Sequence, residues 1–564
     1  MSTSRLVTWI TFLAIFAMAA RVSIDSDTWW HMRVGQWMLE HRSLMEGDVF
    51  SYTREGAEWL YPRLVVQVPM VLIYETFGPG GLNVWVAAMV TLAFAFIWKA
   101  MEGGVFTKAF VLVLGVVVTG VYWGARPYMV SFVLGAVFLW IFEDFRAGRK
   151  DRLWILPILM VIWANAHGGF AVGFMLWGIY GLEVGVKWLL EVIRVVKTNK
   201  VKERKILAEK HRAQQEDDGQ ISDTSSLFKL NLQHPLTKML LLGFFLAFAV
   251  CLNPAGPRFL LYPFQTVKIE ALQDYINEWQ SPNFHEVVVQ PFIWLLLLTF
   301  GAVGVSRKGL NLVDFLLVSM FAYLGLLAGR NVALFGLFTP IVLARHAEPV
   351  LAQARDAFGM RSMPRLDRVR SPLQGWVNRV LVGAVMLAVV AKIGLVYPEV
   401  INIEAYGQYL PLDAVAFLKE KQFPGRMFNS YNWGGYLQWA LPEYQVFVDG
   451  RTDLYDDEII GQWFQVVRAE PGWQEVLDQW GVNLIFLEKD FAVVALLKDE
   501  GWTLQYSDDK AVIFTRQPLV RTEEGAQDVF VRWDVDTILL EAGSPGLSHL
   551  EGVGGKNIMR MRWR

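Results

Sequence analysis

At 564 residues, 54% hydrophobic and only 19% charged, with a mean hydropathy of +0.32, the chain is too apolar for a water-soluble fold and too long for one domain. A formal net charge of −2 leaves no global basic character, so nucleic acid is not an expected partner. The single cysteine, Cys251, excludes an intramolecular disulfide, and no CxxC or CxxH pattern offers a thiolate metal site. The composition is that of a polytopic α-helical membrane protein surrounded by membrane lipids.

The first apolar run, 6–24, is long for a signal h-region and is read as a retained span. Directly after it comes the most unusual stretch, 21–59, RVSIDSDTWWHMRVGQWMLEHRSLMEGDVFSYTREGAEW. A connecting loop has no need of its carboxylates, histidine and tryptophans. Asp25 and Asp27 fall where the apolar run ends, at headgroup depth, where an ionisable group suggests a functional site. From Asp27 the pattern predicts an interfacial helix, with Trp30, Val34, Trp37 and Met38 on one face and Arg33, Gln36 and Glu40 elsewhere. Asp27 and His31, four apart, share a face.

Further runs able to cross roughly 30 Å of hydrocarbon lie near 82–98, 109–123, 127–143, 153–166, 168–190, 236–252, 291–305, 311–328, 331–346 and 379–397, about eleven in all. Basic residues orient them. With the N-terminus inside and 64–77 not spanning, the inner loops hold Lys99 and Lys108; Arg146, Arg149, Lys150 and Arg152; the basic part of 187–238; Arg307 and Lys308; and the arginines of 345–379. A spanning 64–77 would turn all of these outward. It is therefore expected to be a second interfacial or re-entrant helix of a first extracytoplasmic loop, 25–81, in a protein of the cytoplasmic membrane. Residues 197–235 read as a cytoplasmic linker or partly disordered helix, and 347–378 as a basic connection along anionic headgroups.

Residues 1–398 thus form a transmembrane domain, after which the composition changes. Strand-like YQVFVDGR, NLIFLEK and AVIFTR alternate with DDEIIGQWFQVVRA, WQEVLDQW and AVVALLKDEGW, predicting a small extracytoplasmic α/β domain over 399–516. The tail 517–564 is expected to be ordered only if it docks.

Under this topology the short polar motifs at span ends gather on the outer side. They are Asp25, Asp27, His31 and Asp48; Arg126 in GARPY; Asn165 and His167 in WANAHGGF; Asn253 in LNPAGP; and Arg330 and Asn331 in AGRNV. Bland readings stand beside the functional one. An arginine at a span end can anchor in headgroups, Asn253 before Pro254 can end a helix, His167 can satisfy backbone at a turn, and Asp25 can cap a helix. Trp29, Trp30, Trp37 and Trp59 suit an interfacial aromatic belt better than a sugar platform.

At DTWWHMR the first loop resembles that of oligosaccharyltransferase catalytic subunits, within the GT-C superfamily of polytopic glycosyltransferases. There an acidic residue ending the first span precedes a D-P-Y-Y-H-M-R type of pattern, and a second acidic residue precedes an aromatic stretch and a W-x-P motif. Here Asp48 opens DVFSYTREG and Trp59 precedes YP. NSYNWGGYLQWALPEYQVFVDGRT is similar to the region of the W-W-D-Y-G motif that reads the acceptor sequon, but its aspartate is missing at Tyr431, Asn432, Trp433, Gly434 and Gly435. Asparagine-sequon transfer is thereby put in question.

The resemblance implies transfer of a sugar from a polyprenyl-phosphate-linked donor to an extracytoplasmic acceptor, a glycan, lipid or protein. A carboxylate must take the acceptor's proton; Asp27 is the first candidate, with Asp25 and Asp48 beside it. A cation must meet the departing phosphate, Arg330 first and Arg126 second. His31, Asn165, His167, Asn331, Trp433, Asp449 and Arg451 are candidate substrate contacts. Asp27, Asp48 and His31 could hold Mg²⁺ or Mn²⁺, although other GT-C members work without a metal. The rival reading is a non-enzymatic carrier or flippase for lipid-linked sugars, against which stand the position of the polar residues at outer span ends and the lack of an internal repeat.

Overall fold

A computed structural model describes residues 1–59, 64–213, 233–270, 276–358, 367–369 and 371–516. The expected tail 517–564, and 214–232 of the expected linker, lie outside the described residues. The membrane part is built of α1 (Thr3–Ala19), α2 (Asp27–His41), α3 (Leu64–Ala100), α4 (Val105–Thr119), α5 (Tyr128–Arg146), α6 (Ile155–Ala164), α7 (Ala171–Ala213), α8 (Pro235–Cys251), α9 (Tyr262–Val267), α10 (Gln290–Val305), α11 (Leu312–Leu327), α12 (Val332–Ala357) and α13 (Pro372–Val396).

Every run expected to span falls on a helix, but they differ in reach. Six helical stretches are long and apolar enough to cross a bilayer alone, and α8 with the segment to Val267 makes a seventh bent by 113°. The four others are of 10–17 residues; α6, at ten residues, extends only about 15 Å. The chain is thus an integral membrane protein, with six or seven spans on these criteria among the described residues rather than the expected eleven.

Within α3 the helix breaks at Gly78, whose φ of 66° and ψ of −169° belong to a region essentially reserved for glycine. Pro79 follows at once and restarts the helix. The segment 64–77 is therefore set off by a break from the long helix after it. α7 carries the apolar run of 168–190 onward as one helix to Ala213, so 197–213 is helix rather than linker. α12 likewise continues through Ala357.

The two ends of this bundle are polar and its middle is not. α5 begins just after Arg126 and carries Glu143 near its far end, a separation of about 25 Å along a helix axis. There Arg345 of α12 is buried and pairs with Glu143 at 2.6 Å and with Asp314 of α11. Apolar side chains of α3, α4, α5, α10, α11 and α12 fill the space between the two ends.

The C-terminal unit is α/β as expected, with a different sheet. Helices α14 (Glu399–Gly407), α15 (Leu412–Lys421), α16 (Tyr431–Ala440), α17 (Thr452–Val467) and α18 (Trp473–Gln479) surround strands β1 (Arg426–Asn429), β2 (Val482–Glu488), β3 (Thr503–Ser507) and β4 (Ala511–Thr515). The strand order is β1-β2-β4-β3, with β1 parallel to β2 and the other pairs antiparallel. NLIFLEK and AVIFTR are the central strands. YQVFVDGR is not a strand of this sheet, which corrects the expectation. Its extended backbone pairs instead with the first loop: Val446 N–H donates to Phe50 O at 3.0 Å and Tyr52 N–H to Val446 O at 3.3 Å. AVVALLKDEGW forms only a 3-10 turn before β3, because so short an apolar run needs a neighbour to become a full helix.

That pairing brings Asp48, Asp449 and Arg451 together in the core between loop and C-terminal unit. All three are fully buried. Arg451 donates to Asp449 at 2.7 Å and to Asp48 at 2.5 Å, while Tyr455 Oη donates to Asp449 at 2.7 Å and Ser51 N–H to Asp48 at 2.9 Å. The tryptophans join the same core. Trp29, Trp30 and Trp59 are buried, Trp29 edge-on to Tyr406 and Tyr436, and Trp59 under Arg451 at 5.1 Å. These three are interface core, neither belt nor platform.

Removing the cation while leaving its two buried carboxylates should be costly. Arg451→Met is expected to lower stability by about 3–5 kcal/mol, read as a large fall in thermal unfolding temperature in detergent. Adding Asp48→Asn and Asp449→Asn to it should recover part of the loss, and no recovery would mean the network is not what holds the loop.

Candidate active site

Asp25 and Asp27 lie where α1 has ended and α2 begins. Asp27 N–H donates to Asp25 Oδ1 at 3.0 Å, so Asp25 holds the first N–H of α2 from one residue ahead of the N-cap, Ser26, whose own side chain makes no cap, and the helix dipole favours a carboxylate there. The GARPY turn is stitched to the same loop: Thr28 Oγ1 donates to Ala125 O at 3.0 Å and Ala125 N–H to Ser23 Oγ at 2.7 Å. This fixes Arg126 over both carboxylates. Its guanidinium pairs with Asp27 and approaches Asp25 at 3.5 Å and Glu278 at 3.4 Å.

Glu278 comes from a 3-10 turn, Asn277–Trp279, docked on the AGRNV turn by Gly329 N–H donating to Gln280 O at 2.9 Å. That contact places Arg330 3.7 Å from Glu278 and 4.3 Å over the ring of Trp279. Arg330 is the more open of the two arginines, its side chain 33% exposed against 20% for Arg126.

The C-terminal unit closes one side. α16 lies on α2, Gly435 facing Ser26 O and Trp30, and Gly434 facing the backbone of Val448 and Asp449. A Cβ at Gly450 would collide with the Asp27 carboxylate, so only glycine lets the DGR turn seal against it. The Trp30 indole lies near Asp27 and favours its charged form, and Tyr431 shares a hydrogen bond with Thr452 at 2.5 Å close by.

Three carboxylates against two guanidinium groups leave a surplus of negative charge in a partly buried place. Burial, and then the neighbouring Asp25 and Glu278, push the Asp27 carboxyl up to about 7 even though Arg126 opposes the rise. Burial likewise raises Asp25. At Glu278 burial is outweighed by Arg126 and Arg330, which hold it below the usual carboxylate range. Proton affinity is thus concentrated on the two aspartates, and Asp27 is poised to exchange a proton near neutrality.

Of the sequence-predicted residues, this site joins Asp25, Asp27, Arg126 and Arg330. The others are held elsewhere. His31 is buried, its Nδ1 3.1 Å from the Gln67 amide. Asp48, Asp449 and Arg451 form the sealed network described above. Trp433 is buried and donates to Tyr409 O at 3.0 Å. Asn165 donates to Val161 O and Leu252 O, and Asn331 to Leu324 O, so both tie off helix ends. His167 accepts from Gly169 N–H at 3.0 Å and meets Ser131 at 2.7 Å.

The expected metal set Asp27, Asp48 and His31 is therefore not assembled, and no group of three His, Cys, Asp or Glu side chains among the described residues is arranged to hold an ion. The carboxylates that do converge close on a guanidinium rather than on open space. This donor set does not fit Mg²⁺ or Mn²⁺.

Glu278 and Trp279 were missed. An acid beside a tryptophan in the loop between 236–252 and 291–305 repeats the pairing seen in DTWW, and is the signal that could have found them.

No protein-family model matches the chain, and no curated protein matches it. Solved structures do. The apo oligosaccharyltransferase of Archaeoglobus fulgidus is 10% identical with a TM-score of 0.47, over 91% of this chain and 75% of that one. The archaeal oligosaccharyltransferase AglB from Archaeoglobus fulgidus, in complex with an inhibitory peptide and a dolichol-phosphate, gives the same figures. The form tethered to an acceptor peptide containing the NVT sequon is 11% identical with a TM-score of 0.48, over 90% of this chain and 74% of that one. These three solved structures are of an archaeal oligosaccharyltransferase, the family that the first loop of this chain resembles.

Proposed function

We propose that this chain is a membrane glycosyltransferase that moves a sugar from a polyprenyl-phosphate-linked donor to an extracytoplasmic acceptor other than a sequon asparagine. The observation that carries the reading is the cluster itself: a carboxyl poised near neutrality and a half-open arginine, held on turns at the ends of apolar helices. In the reaction an acceptor hydroxyl oxygen attacks the anomeric carbon and the bond from that carbon to the phosphate oxygen breaks. The hydroxyl proton passes to Asp27, and the electron pair leaves with the lipid phosphate. Arg330 is placed to meet that growing charge, Trp279 beneath it keeping the guanidinium flat. Asp25 accepts from the Asp27 N–H and thereby fixes Asp27. The apolar helices give the prenyl chain a surface that water does not compete for.

The acceptor half rests on the YNWGG segment. No aspartate stands there to receive a sequon hydroxyl, and Trp433 is spent on the core. A site lacking the matched partner for a substrate hydroxyl loses discrimination by orders of magnitude, which favours a glycan or lipid hydroxyl. Incubation of the purified full chain with radiolabelled polyprenyl-phosphate sugars and a panel of acceptors tests both halves. Robust sequon glycosylation refutes the acceptor half. Donor binding without transfer, with Asp27→Asn like wild type, is the result a carrier would give.

Asp27→Asn should reduce transfer by about 10²–10⁴-fold, and Arg330→Ala by about 10²–10³-fold, with unfolding temperature retained. The base must be ionised to accept a proton, so the rate should rise as pH climbs through about 7, under the influence of Asp25, Arg126, Glu278, Trp30 and Tyr431 around it. A profile flat across that range would remove Asp27 from the role.

The proposed orientation has the N-terminus inside and the C-terminal unit outside, supported by the basic-loop pattern. Asp457→Cys in a Cys251→Ser background should label from outside intact cells. Labelling only after the inner face is opened would overturn the orientation and the face on which transfer is placed.

A further inference from the structure

We infer that Arg126 is the permanent cation of this site, seated where a divalent ion would otherwise be gathered, so that transfer proceeds without a metal. The inference rests on the glycosyltransferase reading but concerns how its carboxylates are held. Three carboxylates, from the start of α2 and from the 277–279 turn, point at one guanidinium. Three acidic side chains around one charge are a donor type that a hard divalent cation also draws, but with Arg126 in place they are spaced for a guanidinium and not for an ion. Here the focus is filled by a covalently attached charge that cannot dissociate or lose its proton. The stitching of GARPY to Ser23 and Thr28 holds the arginine backbone in register with Asp25 and Asp27, and its guanidinium lies 5.5 Å from the Tyr128 ring. The other expected donors do not add to it. His31 and Asp48 are turned into buried contacts of their own, with Gln67 and with Arg451.

A fixed guanidinium and a bound metal would work differently. A metal could ligate the donor phosphate directly and would depend on supply. Arg126 is surrounded by carboxylates and acts through them, so it is a positioning residue: it orients Asp27 and tempers the repulsion among the three acids. Phosphate contact then falls to Arg330, which has a single ion-pair partner at 3.7 Å among the described residues.

The experiment uses the full chain in nanodiscs of zwitterionic lipid, with Mn²⁺ as probe and electron paramagnetic resonance reading the free ion, across a range of pH above neutrality because burial raises Asp25 and Asp27 and the loss of Arg126 removes the charge that opposes the rise. Wild type should take up no Mn²⁺ above the empty-disc background. Arg126→Ala should expose the three carboxylates and gain one ion per chain, a gain abolished by adding Asp27→Asn, while Arg126→Lys should gain none. If Arg126→Ala does not fold, Arg126→Gln serves in its place, judged by the same gain. Uptake of one Mn²⁺ by wild type that is lost in Asp27→Asn overturns the inference, as does a folded charge-neutral variant that gains none. In the transfer assay, a chelator should leave the wild-type rate unchanged; a fall of roughly tenfold or more that added Mn²⁺ restores would also overturn it. The binding arm reads even where no acceptor is found, so failure of the transferase reading and failure of this one are separable.

Discussion

The ion cluster on Arg126 is the constraint around which the outer end of the bundle is arranged. Four segments far apart in sequence must converge for it to exist: the start of α2, the GARPY turn, the 277–279 turn and the AGRNV turn. Three of them lie at the end of a helix, and the 277–279 turn is docked on the AGRNV turn by Gly329 N–H donating to Gln280 O, so a shift of one disturbs the others. Bringing three carboxylates out of water is costly, and removing their cation would leave that cost uncompensated. The excess of acid over base is resolved by proton affinity rather than by distance. Arginines hold Glu278 ionised, and the surplus is left on Asp27 and Asp25, raised by burial. A group useful for proton transfer thus emerges from an arrangement that also holds the fold together.

A second ionic cluster, around Arg345, sits at the other end of the same helices and shows what a purely structural one looks like. Arg345, Glu143 and Asp314 are nearly inaccessible, as are Arg451, Asp48 and Asp449 between the first loop and the C-terminal unit. The Arg126 cluster, by contrast with these two triads, keeps its side chains part-exposed, from 14% at Asp27 to 33% at Arg330. Between the two ends lies an apolar slab about 25 Å deep along α5, which is what a bilayer demands of buried backbone and side chains alike.

The sequence made the helices legible, and four of the five charged residues that the structure brings together at the outer cluster, because apolar periodicity and charge at span ends are local signals. Asp25, Asp27, Arg126 and Arg330 stand out for the same reason: each is a polar residue where hydrocarbon gives way. What sequence could not supply is which polar residues face each other. Asp27 and His31 share a helical face by spacing, yet four residues of helix also turn one toward Arg126 and the other toward Gln67. Asp48 reads as a catalytic acid until the partner at Arg451, some 400 positions later, is seen. YQVFVDGR has strand periodicity and does lie extended, but its hydrogen-bonding partner is the first loop rather than the sheet. Pairing across such a distance in sequence is a tertiary fact with no local trace.

The same long-range pairing explains why the C-terminal unit carries an NWGG segment without an acceptor-reading aspartate. Its two glycines are used to bring α16 down onto α2 and the DGR turn, and its tryptophan packs into the unit's own core against Phe486. What the segment offers Asp27 is a wall, made of Gly450 and the Tyr431–Thr452 pair. A wall excludes water and narrows approach, which strengthens every charge interaction inside, but it reads no particular hydroxyl. On the proposed reading, selectivity for the acceptor would come from shape and from how the acceptor reaches the side of the cluster beside Arg330, not from a dedicated carboxylate. An enzyme built this way would tolerate acceptors that share a presented hydroxyl more than a sequence, and that is the chemistry of glycans and lipids rather than of a peptide sequon.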